Sequence, residues 1–174
     1  MHFFLSYVLY CLCHQKVFPQ NILAKFIIIP CDYDSMEVLL DVDEEKLIEA
    51  AREAKENAYS PYSEYSVGAV VITESGEEYT GCNIENITFD MCSHAERTAM
   101  RSAIADGHQE FYALAISTEG QNGAPPCGTC RQFIAEFCAD DFVIYSDNGD
   151  SIEEYTLGEI FPNAFRPEAV DDAT

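Results

Sequence analysis

Two short segments limit what this chain can become: Ser93-His94-Ala95-Glu96-Arg97 and Pro126-Cys127-Gly128-Thr129-Cys130. His94, Cys127 and Cys130 offer an imidazole and two thiolates, three good ligands for one zinc ion. A structural zinc site is closed by four protein ligands, whereas three leave a position for water. The residues therefore predict an open zinc centre of the catalytic kind, and the rest of the chain has to bring the two segments together. Zinc lowers the pKa of water at such a position to about 7. Glu96, just after His94, is close enough to accept that water's proton and return it to a substrate without ligating the metal.

Each segment follows a loop and opens a stretch of helical pattern. Cys127 and Cys130 lie one helical turn apart, so both sulfurs face the same side. The free N–H groups and positive end of a helix favour thiolate over thiol there. A C-x-x-C pair alone also suits a redox site or half of a structural zinc site; the His-x-Glu partner and the adjoining proline argue against both. An isolated histidine is ordinarily a surface or core residue, and His2, His14 and His108 keep that reading. Cys92 is read as packing rather than as a rival ligand. Cys82 and Cys138 are expected to be small buried apolar residues.

Hydrophobic periodicity predicts a helix over 43–57, with Leu47, Ile48, Ala51 and Ala54 on one face and Asp43 as N-cap. The β-branched run 67–73 predicts a buried strand, paired through a turn at 74–77 with 78–82. Further on, helices are expected over 94–106 and 128–138, strands over 112–117, 142–145 and 152–156, and a brief helix over 157–161. Helices alternating with hairpin-linked strands predict a mixed sheet covered by helices. There is no internal repeat and no second folded domain.

The 31 acidic residues against 9 Lys plus Arg give a net charge of −22. Such a surface repels phosphates, so binding to nucleic acid is disfavoured. The acids are dispersed and 48% of residues are hydrophobic, which argues against a disordered acidic tail. Adaptation to a salt-rich cytoplasm is the expectation. Eight scattered cysteines without a disulfide-like spacing point to reduced thiols inside the cell. Residues 1–35 stand apart: an apolar leader with two acids and two bases, whereas all of the net charge falls in 36–174. Its apolar run from Phe3 to Cys13 is shorter than the roughly 20 residues that span a bilayer, and it lacks the marks of a secretory signal. Met36 is the expected true start, and no membrane association is expected.

The pattern H-x-E…P-C-x-x-C is the signature of the zinc deaminases. From about Glu44 to Pro167 the chain resembles the small, single-domain cytidine deaminases. The resemblance rests on Tyr59-Ser60-Pro61-Tyr62-Ser63, Val67-Gly68-Ala69, Gly81-Cys82-Asn83-Ile84-Glu85-Asn86, the two zinc segments with Arg131 and Gln132, and Phe161-Pro162-Asn163-Ala164-Phe165. It implies an α/β fold, a three-layer α/β/α sandwich around a five-stranded mixed sheet. It also implies zinc on His94, Cys127 and Cys130, and Glu96 as proton shuttle.

The same resemblance implies that Asn83 and Glu85 hydrogen-bond the ribose hydroxyls and that Ala95 contacts the substrate. Tyr65 and Phe89 would line the base pocket, ordinary core packing being the other reading of these two rings. Phe165 resembles an aromatic that reaches into a neighbouring subunit's site. The implied reaction is hydrolysis of cytidine and 2′-deoxycytidine to uridine and 2′-deoxyuridine, in pyrimidine salvage. Other readings are a deaminase of another aminated pyrimidine nucleoside, an enzyme editing polynucleotides, and a zinc-stabilised protein without catalysis.

One position departs from the pattern. Small tetrameric members usually carry cysteine where this chain has His94, and histidine is typical of longer dimeric members. Length and the C-terminal motif still favour a homotetramer over a dimer. In the three-cysteine members the arginine matching Arg97 hydrogen-bonds ligand sulfurs; here Arg97 is expected either to do so or to pair with an acid.

Overall fold

The computed structural model describes residues 25–27, 39–119, 123–147 and 149–166. Two short strands come first: β1 (Lys25–Ile27) pairs antiparallel with β2 (Leu39–Asp41), Lys25 opposite Asp41. The remainder of the apolar leader, and with it the reading of Met36 as the start, lies outside the described residues. Asp43 caps α1 (Glu44–Lys55). Its Oδ1 accepts from the Lys46 N–H at 3.2 Å, and Glu44 and Glu45 fill the first turn, where the helix dipole favours negative charge.

The continuous apolar run becomes β3 (Val67–Thr73), which turns at Gly76 (φ 88°) into β4 (Glu78–Cys82). Then follow α2 (Ala95–Ala105), β5 (Phe111–Thr118), α3 (Gly128–Ala135), β6 (Val143–Asp147), β7 (Ile152–Thr156) and α4 (Leu157–Ile160). A capping box between Thr156 and Glu159 starts α4. The strands lie in the order β4-β3-β5-β6-β7. Only β5 and β6 run parallel; the other neighbours are antiparallel. Parallel neighbours need a crossover, and α3 supplies it.

Strand alternation sends successive side chains to opposite sides. Val70, Ile72 and Ala115 pack with Leu47, Ile48 and Ala51 of α1. On the other side Val71, Leu114, Ile116 and Ile144 pack with Met100 of α2, Ile134 of α3 and Leu157 of α4. The result is the α/β/α sandwich with a five-stranded mixed sheet that the resemblance implied. Two glycines set the spacing of the layers. A Cβ at Gly68 would lie 2.0 Å from the Ala51 carbonyl oxygen, and one at Gly81 would lie 2.3 Å from the Ala99 nitrogen. Each is a close backbone approach that any side chain would force apart.

Two details differ from the sequence expectation. Helix α3 ends at Ala135 instead of 138. Its last turn tightens, the Phe137 N–H bonding to the Ile134 carbonyl at 3.0 Å, and Arg166 Nη1 donates to the Ala135 and Cys138 carbonyls at 3.1 and 2.7 Å. A side chain from far along the chain thus satisfies the carbonyls left open at the helix end. Cys82 is only partly buried, and its thiol donates to the Asn57 carbonyl at 3.3 Å. Cys138 is buried as expected. Among the described residues no helix is long and apolar enough to cross a membrane.

Candidate metal centre

The two helices that carry the signature start side by side. His94 is the N-cap of α2 and Cys127 the N-cap of α3, and neither side chain caps its own helix. Instead they turn toward each other. Cys127 Sγ lies 3.3 Å from His94 Nδ1, and Cys130 Sγ, in the first turn of α3, lies 3.5 Å from the same nitrogen. The three ligand atoms all fall within 4.8 Å of one another. A tetrahedral zinc with a metal–nitrogen distance of about 2.05 Å and a metal–sulfur distance of about 2.3 Å holds nitrogen and sulfur roughly 3.6 Å apart, so the observed spacing fits that ion. The approach of α2 is fixed by a reciprocal backbone pair between Ile84 and Ser93, both bonds 2.9 Å, and by Thr98 Oγ1 donating to Ser93 Oγ at 3.0 Å.

Electrostatics point the same way. Cys130 is fully buried, and burial, then the charges of Glu96 and Cys127, push its thiol well above the ordinary range. A buried thiol facing a carboxylate and a second thiol is a poor anion until a cation sits among them, and a dication deprotonates it outright. The donor set fits zinc.

A cavity of about 460 Å³ opens beside the cluster. His94, Ala95 and Glu96 form one side, and Ile116 and Thr118 of β5 form a wall. Glu96 is 5% exposed, at the first turn of α2, and stays outside the ligand cluster. A larger groove of about 890 Å³ by Phe111, Phe137 and Tyr145 holds none of these residues.

The family model "Cytidine and deoxycytidylate deaminase zinc-binding region" matches residues 41–146. A cytidine deaminase of Sporosarcina psychrophila is 46% identical over 129 residues, covering 73% of this chain and 94% of that protein. One from Halalkalibacterium halodurans is 40% identical over 133 residues, covering 75% of this chain and all of the other. The crystal structure of cytidine deaminase from Burkholderia pseudomallei superposes with a TM-score of 0.68 at 38% identity, covering 71% of this chain and 100% of that one. The chain belongs to the cytidine deaminase family. Zinc is its metal, and among the described residues His94, Cys127 and Cys130 are the group that could hold it.

The other residues singled out in this deaminase fall as follows. Asn83 and Glu85 both line the cavity, but their side chains also build its rim. Asn83 Oδ1 accepts from the Val67 N–H at 2.9 Å, and its Nδ2 donates to the Tyr65 carbonyl at 2.8 Å. Glu85 Oε2 accepts the N–H groups of Tyr62 and Ser63 at 2.8 and 3.2 Å, and hydrogen bonding from Ser63 and Tyr62 holds the carboxyl below its usual range. Tyr65 and Phe89 line the cavity while 40% and 68% exposed, so neither is a core residue. Phe89 sits at φ 50°, a sparsely populated conformation for a bulky residue, and its ring meets Tyr62 edge-on at 5.8 Å.

Phe165 lies outside the cavity of its own chain and is 65% exposed. Arg131 and Gln132 hold its segment against α3. Arg131 Nη1 donates to the Ile160 carbonyl at 2.5 Å and Gln132 Nε2 to the Phe165 carbonyl at 2.6 Å. Arg97 adopts neither arrangement expected of it: Nη2 donates to the Cys92 carbonyl at 3.1 Å, and among the described residues no acid or ligand sulfur is its hydrogen-bond partner. Its charge still draws the Cys130 thiol downward, against the larger effects. Cys92 is half-buried beside the cavity, its sulfur accepting the Asn86 N–H at 3.2 Å, and takes no part in the ligand cluster. Sequence reasoning missed the wall residues Ile116 and Thr118: the first showed only as a member of the strand expected over 112–117, and the second fell just beyond it, where a loop was expected and the strand in fact continues.

Proposed function

We propose that this chain hydrolyses cytidine and 2′-deoxycytidine to uridine and 2′-deoxyuridine, releasing ammonia. The observation that carries the reading is the three-ligand triangle of His94, Cys127 and Cys130, with a buried carboxylate at Glu96 beside an open cavity. The relatives named cytidine deaminase support it. When bound, zinc supplies a Lewis acid that acidifies water at its open fourth position. Glu96 takes a proton from the attacking water and delivers it to the ring nitrogen next to the amine-bearing carbon. As the carbon–nitrogen bond breaks, the amine leaves with a proton passed through the same carboxyl group. Asn83 and Glu85, both lining the cavity, bind the sugar hydroxyls, contacts that a bare base does not make. Ala95 closes on the pyrimidine, and Tyr65 and Phe89 flank its ring.

The catalytic unit in this reading is residues 36–174, working in the cytoplasm in pyrimidine salvage. It assembles with copies of itself, as a tetramer, and Phe165 completes a neighbour's site. Exposed Ile84, Ile87, Met91 and Phe165 favour such contacts. The net charge of −22 argues against polynucleotide substrates and for a salt-rich interior. A higher melting temperature in molar KCl than in dilute buffer is expected; equal values would refute the salt adaptation. The deciding assay is ultraviolet-monitored turnover of cytidine by the purified, zinc-loaded protein in high salt. Turnover that a chelator abolishes and added zinc restores is expected, and none at all would overturn the assignment.

A further inference from the structure

Three buried side-chain atoms among the described residues lack a hydrogen-bond partner: Arg97 Nε, Thr118 Oγ1 and Ser146 Oγ. The two residues stand at the ends of neighbouring strands, β5 and β6, but they differ in what they line. Thr118 lines the cavity beside the metal cluster; Ser146 does not. Thr118 is 7% exposed, so bulk solvent does not solvate its hydroxyl. A buried polar group with no partner carries its full desolvation cost, and native proteins tolerate this where something else completes the bond.

Everything around Thr118 holds it in place. Its cross-strand partner is Val67, whose N–H is held by Asn83 Oδ1 at 2.9 Å. Its carbonyl accepts from Lys55 Nζ at 3.2 Å. Ile116, two residues earlier on the same face, supplies the apolar part of the wall. The backbone of this strand residue is fixed from both sides, and its hydroxyl, closed to solvent here, meets a ligand by turning about the Cα–Cβ bond. Val67 links Thr118 to Asn83, on the side of the cavity assigned to the sugar.

We propose that Thr118 is a specificity-determining residue whose hydroxyl hydrogen-bonds a polar group of the bound pyrimidine nucleoside. This rests on the cytidine deaminase reading above. The bound nucleoside satisfies the hydroxyl and displaces nothing of the network among the described residues, because none of them competes for that atom.

The test compares zinc-loaded wild type with Thr118→Val, which keeps the shape and removes the hydroxyl, Thr118→Ser, which keeps the hydroxyl, and Ser146→Ala as control. Thr118→Val is expected to lower kcat/KM for cytidine about tenfold, the size of one net hydrogen bond. Thr118→Ser is expected to recover it to within about threefold, and Ser146→Ala to leave it unchanged. Uridine, the product, should raise the melting temperature of Thr118→Val less than that of wild type, a readout independent of turnover. With 2′-deoxycytidine, an equal loss places the contact on the base or on the shared sugar hydroxyls, and no loss places it on the 2′-hydroxyl. Thr118→Val with unchanged kcat/KM for both substrates and an unchanged uridine shift would overturn the proposal. Absence of turnover in wild type would instead remove the functional reading beneath it.

Discussion

The two sides of the sheet treat buried polar groups in opposite ways at almost the same place. On the α1 side, at the ends of β5 and β6, Asp147 is 4% exposed and fully engaged. Arg52 donates to it through Nε at 2.8 Å and Nη2 at 3.0 Å, Ser117 Oγ at 3.0 Å and the Gly149 N–H at 2.9 Å. Lys55 bonds Ser117 Oγ at 3.3 Å. On the α2 and α3 side, one residue further along β5, the Thr118 hydroxyl has no partner among the described residues, and nearby the Cys130 thiol is buried against the Glu96 carboxylate, whose effect outweighs that of Arg97. The first cluster is complete within the chain and serves the fold. The second is complete only when metal and ligand arrive. Satisfaction inside the protein separates these two clusters more sharply than burial does, and position on the cavity separates Thr118 from the equally unpartnered Ser146.

The largest expected effect tests the incomplete side. Glu96→Ala should retain zinc by metal analysis and lose about 10²- to 10⁴-fold in kcat, the usual share of a positioned acid–base group. Normal turnover in this variant would show that the buried acid is structural after all, and the contrast between the two sides would fail.

On the complete side, Arg52→Ala leaves Asp147 as a buried charge without its main partner. A loss of about 3 kcal/mol is expected, toward the lower end for a broken buried pair because Ser117 and Gly149 remain and the arginine is itself partly exposed. Denaturant unfolding would measure it, and kcat/KM of the folded enzyme should be unaltered. A variant as stable as wild type would make the pair a surface ornament.

The same pair predicts an acid slope. Hydrogen bonds from Arg52, and then from Gly149 and Ser117, lower the Asp147 carboxyl from 3.8 to about 2. A depressed carboxyl contributes stability that is fully present above its unfolded value, near pH 4. That stability is lost as the pH falls through its folded value, near 2. The contribution is about 2 kcal/mol. Unfolding free energies measured between pH 5 and pH 2 should fall more steeply for wild type than for Asp147→Asn; parallel curves would refute the assignment.

How much of this was legible in the sequence follows from distance along the chain. His94 with Glu96, and Cys127 with Cys130, lie within one helical turn, so local spacing announced their roles. Strand β3 was readable because its apolar run needs both sheet faces covered. The Arg52–Asp147 pair spans 95 residues, and Arg166 reaches back 31 to the end of α3. Neither has a periodic or compositional sign, because any arginine on a polar helix face looks alike until the fold chooses its partner. The lack of a partner at Thr118 is further still from view, being a property of every neighbour at once. Arg97 shows the converse failure. Its position fitted a pattern, yet the Cys92 carbonyl, five residues away, took the bond expected to go to sulfur or to an acid.

Ser117 and Thr118 give the smallest and most discriminating comparison, since they are adjacent hydroxyls on opposite faces of one strand. Ser117→Ala removes a donor to Asp147 and an acceptor for Lys55. A loss of about 1 kcal/mol in stability is expected, the net worth of one buried hydrogen bond, with kinetics unchanged. Thr118→Val removes a hydroxyl that bonds nothing in the free protein, so its stability should equal or exceed that of wild type. If Thr118→Val were the less stable of the two, the hydroxyl would have a partner within the protein. The two sides of the sheet would then be alike in being satisfied from within, and the division drawn between them would not hold.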